Sequence, residues 1–285
     1  MKIVLFGEDL FTAATLQSLI GNGQEIAAVI CPLYPGNKEY QALEKAARHN
    51  HIPFLHEPDV NAPGIGDLLS KINPDLLLSV HLKKILRPAI FTRAKKGALN
   101  VHPSLLPKYR GLSPQHQALL HGDTETGVTI HFIDETADTG DILLRERIPL
   151  TMATYIYDLQ LKMLSVYKDL VPRAITTIEA GNFRTERQEG TAASWFGALK
   201  DRDREIDLKK TKFETYNKIR AVSKPYKGAY HDNITVWRAE MADPATERDL
   251  VKEYGDTGIY IGRDGLVIRL QDGILLSDDF ERTGM

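Results

Sequence analysis

A chain of 285 residues is long for one domain and sufficient for two. Its net charge of −2 gives no general reason to expect nucleic acid binding, and it contains no apolar run of roughly 18 residues that could span a membrane. A single cysteine, Cys31, excludes an internal disulfide framework. The opening MKIVLFG has the pattern of a short strand rather than the long apolar core of a signal peptide, so we expect a cytoplasmic protein.

The first half of the chain alternates strand and helix patterns. Continuous apolar runs predict buried strands at 2–6, 25–31, 75–80 and 98–102. Helical periodicity predicts helices at 11–20, 40–50 and 155–180. Stricter alternation of apolar and polar residues predicts two later strands at 127–133 and 142–148. This order is typical of a parallel, doubly wound α/β sheet.

A second, smaller domain is predicted beyond a polar linker at 187–200. It begins with a short helix that carries Phe213, Tyr216, Ile219 and Val222 on one side. Short strand patterns follow at 234–239, 258–261, 266–270 and 274–277, the last three separated by Asp-Gly turns. We therefore predict a catalytic domain over residues 1–195 and a small antiparallel sheet or open barrel over residues 196–285.

Three polar residues in the first domain suggest chemistry. Asn100 and His102 end a predicted strand and lie two residues apart, so their side chains point to the same side. Ligands bind at the carboxyl ends of strands in open α/β sheets. An acidic loop then brings a carboxylate, Asp138. An amide, an imidazole and a carboxylate suit acyl transfer to an amine, which needs donors for a developing oxyanion and a proton acceptor.

Each of these residues also has a purely structural interpretation. Asn100 could bond to turn backbone, His102 could be a buried core histidine, and Asp138 could cap the turn that it forms with Thr139 and Gly140. For each residue taken singly the structural interpretation is favoured, whereas the three taken together, in this order and spacing, favour the catalytic one.

Metal and dinucleotide sites are not predicted. The loop from Asp134 to Asp141 lacks the glycine and glutamate of an EF-hand, and His116, His121 and His131 do not have zinc-site spacing. The first strand is not followed by the GxGxxG of a dinucleotide-binding turn.

Linked motifs resemble those of the 10-formyltetrahydrofolate-dependent formyltransferase family. They are NVHPSLLPKYRG at 100–111, TGVT at 126–129, DTG at 138–140, and Arg220-Ala221 with KPYKGA at 224–229. The resemblance implies a Rossmann-like core with an OB-like C-terminal domain, 10-formyltetrahydrofolate as the co-substrate, and catalytic roles for Asn100, His102 and Asp138. We further expect Asp138 to raise the pKa of His102. A non-catalytic folate-binding module is an alternative that these three intact residues disfavour.

The resemblance also implies where the substrates bind. In such a site the folate would lie between residues 79–86 and 133–138, in contact with Leu82, Ile85, Leu86, Asp134 and Asp138. For Ile85 and Leu86, simple core packing is the competing interpretation. The turn beside the site is predicted to contact the acceptor through Ser104, Lys108, Tyr109 and Arg110, although the last three could belong to an ordinary solvated segment.

The acceptor is less clearly indicated. Members of the family formylate methionyl-tRNA, glycinamide ribonucleotide or amino-sugar nucleotides, and the glycinamide ribonucleotide enzymes usually lack a C-terminal domain. The tRNA enzymes typically carry a basic, glycine-rich loop after the second strand, whereas Lys38 is the one basic residue here before the next helix. We therefore predict a small acceptor, an amino-sugar nucleotide of the kind used in lipopolysaccharide O-antigen synthesis, with methionyl-tRNA as the alternative. The C-terminal strands could also pair in a homodimer.

Overall fold

The computed structural model describes residues 1–33, 38 and 40–283. Its contacts divide the chain into two compact units. The first consists of Met1–Leu112, Gly127–Ile148 and Lys162–Phe196, and the second of Ser113–Thr126, Pro149–Leu161 and Gly197–Met285. The domain boundary between residues 195 and 196 stays a prediction. Within the described ranges, none of the helices combines the length and apolar character needed to cross a membrane.

The elements follow one another in mixed α/β order. Up to residue 180 they are β1 (Lys2–Gly7), α1 (Leu10–Gly21), β2 (Glu25–Cys31), α2 (Gln41–His49), β3 (Phe54–His56), α3 (Pro63–Ile72), β4 (Leu76–Val80), α4 (Pro88–Phe91), β5 (Ala98–His102), β6 (Arg110–Gly111), α5 (Pro114–Leu120), β7 (Glu125–Phe132), β8 (Ile142–Pro149) and α6 (Ile156–Ala180). The later elements are β9 (Trp195–Phe196), α7 (Lys212–Val222), β10 (Ala229–His231), β11 (Ile234–Val236), β12 (Glu240–Met241), α8 (Pro244–Glu253), β13 (Gly258–Ile261), β14 (Leu266–Leu270), β15 (Gly273–Ser277) and β16 (Phe280–Arg282).

Seven strands of the first unit form one sheet in the order β3-β2-β1-β4-β5-β7-β8. The pairs from β3 to β5 are parallel, and β7 joins β5 in the antiparallel direction. This confirms the predicted mostly parallel α/β sheet. Because the strand order runs outward in both directions from β1 and β4, a crevice is expected at the carboxyl ends of these central strands.

The core explains why the central strands are so apolar. All five residues of β4 are buried, as expected of a parallel strand covered by helices on both faces. One core cluster joins residues of β1, β2 and β4 to α3 and to the segment after β4, where Leu86 is only 3% exposed. The sheet is therefore a rigid support for the loops at its carboxyl edge.

A partly buried polar bridge fixes the turn that follows β4. The Nδ1–H group of His81 donates to Asp9 Oδ2 at 2.7 Å, and His81 Nε2 is hydrogen-bonded to the Tyr167 hydroxyl at 3.0 Å. Phe11 stacks on the same imidazole with ring centroids 4.2 Å apart. Burial would raise the pKa of Asp9, but His81 and the hydrogen bonds from Thr12 outweigh it and hold this pKa below its ordinary value. The bridge ties the turns after β1 and β4 to α6.

The second unit contains the C-terminal β domain that the sequence predicts. Its strands form two antiparallel sheets, of three strands in the order β10-β11-β16 and of four in the order β12-β15-β14-β13. Arg220 of α7 is buried, and its guanidinium donates to the carbonyl oxygens of Thr151 and Thr154 and to the side chain of Asn217. These bonds join α7 to the turn before α6 inside this unit.

Several elements escaped the sequence prediction. Both α3 and α8 begin with proline in the first helical turn, where a missing N–H costs nothing. In α3, Gly64 and Gly66 weaken the helical pattern of the sequence. The predicted linker at 187–200 contains β9, which pairs in parallel with β6. That pairing needs residues far apart in the chain, so local patterns could not indicate it.

Candidate functional site

Asn100 and His102 lie at the carboxyl end of β5, on one side of the strand as predicted. The antiparallel register pairs Asn100 with His131 and His102 with Thr129 of β7. The side chain of His131 therefore joins the same cluster, with its Nε2 3.2 Å from Asn100 Nδ2. The chain does not need to bend for this, because cross-strand partners of a sheet are neighbours by construction.

Asp138 brings these side chains together. Its Oδ1 accepts a hydrogen bond from Asn100 Nδ2 at 3.2 Å and lies 3.5 Å from His102 Nδ1 and 3.4 Å from His131 Nε2. Its Oδ2 accepts from the backbone N–H of Gly111 at 2.8 Å. Three side chains from two strands thus converge on one carboxylate oxygen.

Asp138 is held as a carboxylate. Burial raises its pKa, but the opposing effects of His102, His131 and the Gly111 N–H are together larger, so the pKa lies well below its ordinary value. At neutral pH this group can accept a proton and cannot donate one.

The protonation of His102 differs from the prediction. Burial lowers its pKa, and this effect exceeds the opposing effects of Asp138 and of the bond to the Tyr109 carbonyl. Asp138 raises this pKa, as expected, but the net shift is downward because desolvation of the buried imidazole is the larger effect. Since a carbonyl only accepts, Nε2–H donates to Tyr109 O at 2.8 Å, and Nδ1 of the neutral ring faces Asp138 with its lone pair.

The segment predicted to contact the acceptor is mostly turned inward. Ser104 is fully buried and its hydroxyl donates to Lys108 O at 2.6 Å. Tyr109 is buried, and its N–H donates to Ser194 Oγ at 2.9 Å. Arg110 is 4% exposed and donates through Nε and Nη2 to Gln188 Oε1. Of the four predicted residues, only Lys108 is exposed, and their contact with an acceptor stays a prediction.

The residues predicted to contact folate fall into three situations. Leu86 belongs to the core, with Leu82 partly buried against the same cluster, whereas Ile85 is 60% exposed. Asp134 accepts from the Thr139 hydroxyl at 2.7 Å and so stabilises the turn that carries Asp138. Core packing thus accounts for Leu86, and the folate contacts of this set stay a prediction.

Three residues of the site were not identified from the sequence, namely His131, Gln188 and Ser194. Alternation in β7 places Thr129 and His131 on one side, but only the register with β5 sets His131 opposite Asn100. Gln188 and Ser194 lie in the predicted linker, and no local signal marks them. Throughout the described parts of the chain, we find no group of His, Cys, Asp or Glu side chains able to hold a metal ion.

Comparison with known families gives matches to both halves of the chain. The model described as "Formyl transferase" matches residues 1–175, and the one described as "Formyl transferase, C-terminal domain" matches residues 198–284.

Similar proteins fall into two groups. The chain is 36% identical over 235 residues to a methionyl-tRNA formyltransferase of Syntrophus aciditrophicus, covering 81% of this chain and 75% of that protein. It is 30% identical to the methionyl-tRNA formyltransferase of Clostridioides difficile, covering 99% and 92%. Among solved structures, an N-formyltransferase from Helicobacter canadensis, in complex with folinic acid and dTDP-3-aminofucose, is similar with a TM-score of 0.74 and 22% identity over 97% of this chain and 99% of that one. A sugar 3N-formyl transferase crystallised with dTDP and 5-N-formyl-THF has a TM-score of 0.71 and 23% identity, covering 97% of each chain.

Proposed function

Because this chain belongs to the formyl transferase family, we propose that it transfers the formyl group of 10-formyltetrahydrofolate to the amine of an amino-sugar nucleotide. The observation that carries the transfer chemistry is the convergence of Asn100, His102 and His131 on one oxygen of Asp138. A neutral amide donor beside a buried carboxylate fits a carbonyl that gains negative charge while an amine loses a proton.

Each residue then has a distinct task. When bound, the folate supplies an electrophilic formyl carbon. Asn100 Nδ2, which also donates to Asp138 Oδ1, can donate to the formyl oxygen as charge develops there, an interaction worth roughly 3–4 kcal/mol. As the amine forms its bond to the formyl carbon and the bond from that carbon to N10 breaks, the proton released by the amine passes through the His102–Asp138 pair to the leaving N10, while the low pKa of Asp138 keeps its carboxylate charged beside that proton. His102 offers a lone pair at Nδ1, and a proton that arrives there is stabilised by the Asp138 carboxylate at 3.5 Å.

The charge of the C-terminal domain favours a small acceptor. Residues 198–284 contain sixteen Lys and Arg against seventeen Asp and Glu, so this segment has no excess of positive charge. Many of its cations are already paired with carboxylates. These pairs are Arg204–Asp201, Lys210–Glu214, Lys212–Glu247, Lys224–Asp279 and Lys227–Asp201. A surface that grips tRNA needs Lys and Arg free to meet phosphates. The two solved structures that are similar over 97% of this chain, one holding dTDP and the other dTDP-3-aminofucose, support the same choice.

Methionyl-tRNA is the second candidate acceptor. It is favoured by the relatives at 36% and 30% identity, both of which are methionyl-tRNA formyltransferases. The loop after β2 lies largely outside the described residues. The sequence predicts that this loop lacks the basic segment of a tRNA-binding enzyme, so its support for the sugar acceptor comes from its length and composition alone.

A direct assay separates the two candidates. Purified protein is supplied with 10-formyltetrahydrofolate and either a panel of dTDP- and UDP-linked amino sugars or methionyl initiator tRNA, and tetrahydrofolate release is measured. We expect turnover with an amino-sugar nucleotide and none with the tRNA. Asn100→Ala should lose activity by about 10²–10³-fold, whereas Asn182→Ala, at an exposed position, should not change it. Turnover with the charged tRNA alone would favour the second candidate, and turnover with neither would exclude both.

A further inference from the structure

The carboxylate of the site sits on a strained turn. Asp138 has a φ of +56°, in the left-handed region that a residue with a Cβ disfavours. Gly140 of the same turn lies so close to β7 that a Cβ there would overlap the Phe132 carbonyl oxygen. Such a conformation persists only where the surrounding structure holds it, so the contacts of this turn decide where the carboxylate points.

Gln188 holds this turn with its whole carboxamide. Its Nε2 donates to the carbonyl oxygens of Asp138 at 3.0 Å and of Gly140 at 2.8 Å. Its Oε1 accepts from Arg110 Nε at 3.1 Å and Nη2 at 2.7 Å. These partners define the orientation of the amide, because the reversed amide would put oxygen against carbonyls and an NH2 group against a guanidinium.

Arg110 is itself fixed on the other side. Its side chain is 4% exposed, and its guanidinium carbon lies 4.6 Å from the ring centroid of Trp195. Its backbone N–H donates to Ser194 O at 2.8 Å. The next residue, Gly111, donates its N–H to Asp138 Oδ2. The contacts form a closed ring that runs from Gln188 through Arg110 and Gly111 to the carboxylate and back through the Asp138 carbonyl.

We propose that Gln188 is a positioning residue for the formyl transfer, which orients the Asp138 carboxylate toward Asn100 and His102 by tying the backbone of its turn to Arg110. This inference rests on the proposed function. The carboxamide acts through other residues, since its hydrogen bonds go to two backbone carbonyls and a guanidinium rather than to the reacting groups. Its effect should therefore fall on kcat more than on substrate binding.

Two substitutions separate the bonds of Gln188 to the turn from its bonds to Arg110. Gln188→Ala removes every bond of the carboxamide. Gln188→Glu has the same shape and keeps an acceptor for Arg110, but it has no donor for the carbonyls of Asp138 and Gly140. If the hold on the turn matters, both variants should lose about 10²-fold in kcat, with KM for either substrate changed by no more than about threefold. Glu189→Ala, at the exposed neighbouring position, is the matched control and should keep wild-type kcat.

The outcomes are distinguishable. Wild-type kcat in Gln188→Ala overturns the inference, and wild-type kcat in Gln188→Glu overturns the part that assigns the effect to the turn. A large rise in KM at unchanged kcat also overturns it, because it would indicate a substrate contact. Urea denaturation of each variant shows whether it is folded.

A wild-type protein without turnover would instead count against the proposed function. The inference is then judged by crystal structures of the wild type and Gln188→Ala. We expect the Gly111 N to Asp138 Oδ2 separation, 2.8 Å here, to exceed hydrogen-bonding distance in the variant. An unmoved carboxylate would overturn the inference.

Discussion

Asn100 and His131 are direct partners across β5 and β7, and both of their side chains reach Oδ1 of Asp138. The Nδ1–H group of His131 donates to the Phe132 carbonyl at 2.8 Å, which fixes the ring with Nε2 toward the site. The site is therefore a group of four side chains, one more than the sequence suggests.

We predict that His131→Phe lowers kcat by about tenfold or more. The substitution removes the imidazole whose Nε2 lies 3.4 Å from Asp138 Oδ1, so the carboxylate becomes less well oriented toward the reacting groups. Steady-state kinetics with both substrates saturating provides the measurement. His49→Phe, at an exposed position on α2, serves as the control, and equal rates for the two variants would show that His131 has no part in the site.

Gly140→Ala should inactivate the enzyme without unfolding it. The added methyl group would overlap the Phe132 carbonyl oxygen, so the turn that carries Asp138 must move away from β7. A displacement of about 1 Å in a catalytic group can cost roughly 10²-fold in rate. The matched control is Gly190→Ala, since a Cβ at that position meets no atom within 4 Å. Comparable kcat values for the two alanine variants would contradict this account.

Stability should fall as the solution becomes mildly acidic. Burial holds the pKa of His102 and of His116 below the ordinary value of 6.5. Below about pH 6.5 the unfolded chain therefore binds more protons than the folded chain, which favours unfolding. The stabilisation is present above about pH 6.5 and is lost below it, by at most about 1.4 kcal/mol per pH unit for each ring. Asp138 acts in a separate window: its stabilising contribution is fully present above its ordinary pKa of 3.8 and is lost progressively as the pH falls from there toward its lowered pKa in the folded protein.

Urea midpoints at about pH 7.5 and about pH 5.5 test this dependence. The wild type should have the lower midpoint at the acidic pH, and His116→Gln should reduce the difference because one of the two rings is gone. The bond from His116 to the Ala221 carbonyl makes the variant less stable at both values, so the comparison is between the differences. A variant with an undiminished difference would remove His116 from the explanation.

Tyr167→Phe should lower the free energy of unfolding by about 1–2 kcal/mol. The variant leaves His81 Nε2 without its hydrogen-bond partner, the hydroxyl of the fully buried Tyr167 side chain. Tyr157→Phe lies on the same helix, where the side chain is 53% exposed, and should change stability little. Denaturant unfolding of both variants gives the comparison, and similar losses would mean that the buried bond contributes nothing.

The sequence determined the parts of this protein that depend on neighbours in the chain. Runs of apolar residues located β1, β2, β4 and β5 to within about two residues, because a strand covered on both faces needs an unbroken apolar segment. The spacing of Asn100 and His102 placed them at the end of a strand, where a ligand site is expected. Linked motifs then indicated a family, which the comparisons confirmed.

The tertiary structure decided which distant groups complete the site and what their charges are. The register of β5 and β7 places His131 opposite Asn100. The packing of the predicted linker places Gln188 and Ser194 within hydrogen-bonding distance of the site. Burial reversed the expected shift of the His102 pKa. These features depend on which residues approach through space and on how much water they lose, and neither quantity is encoded in a local pattern.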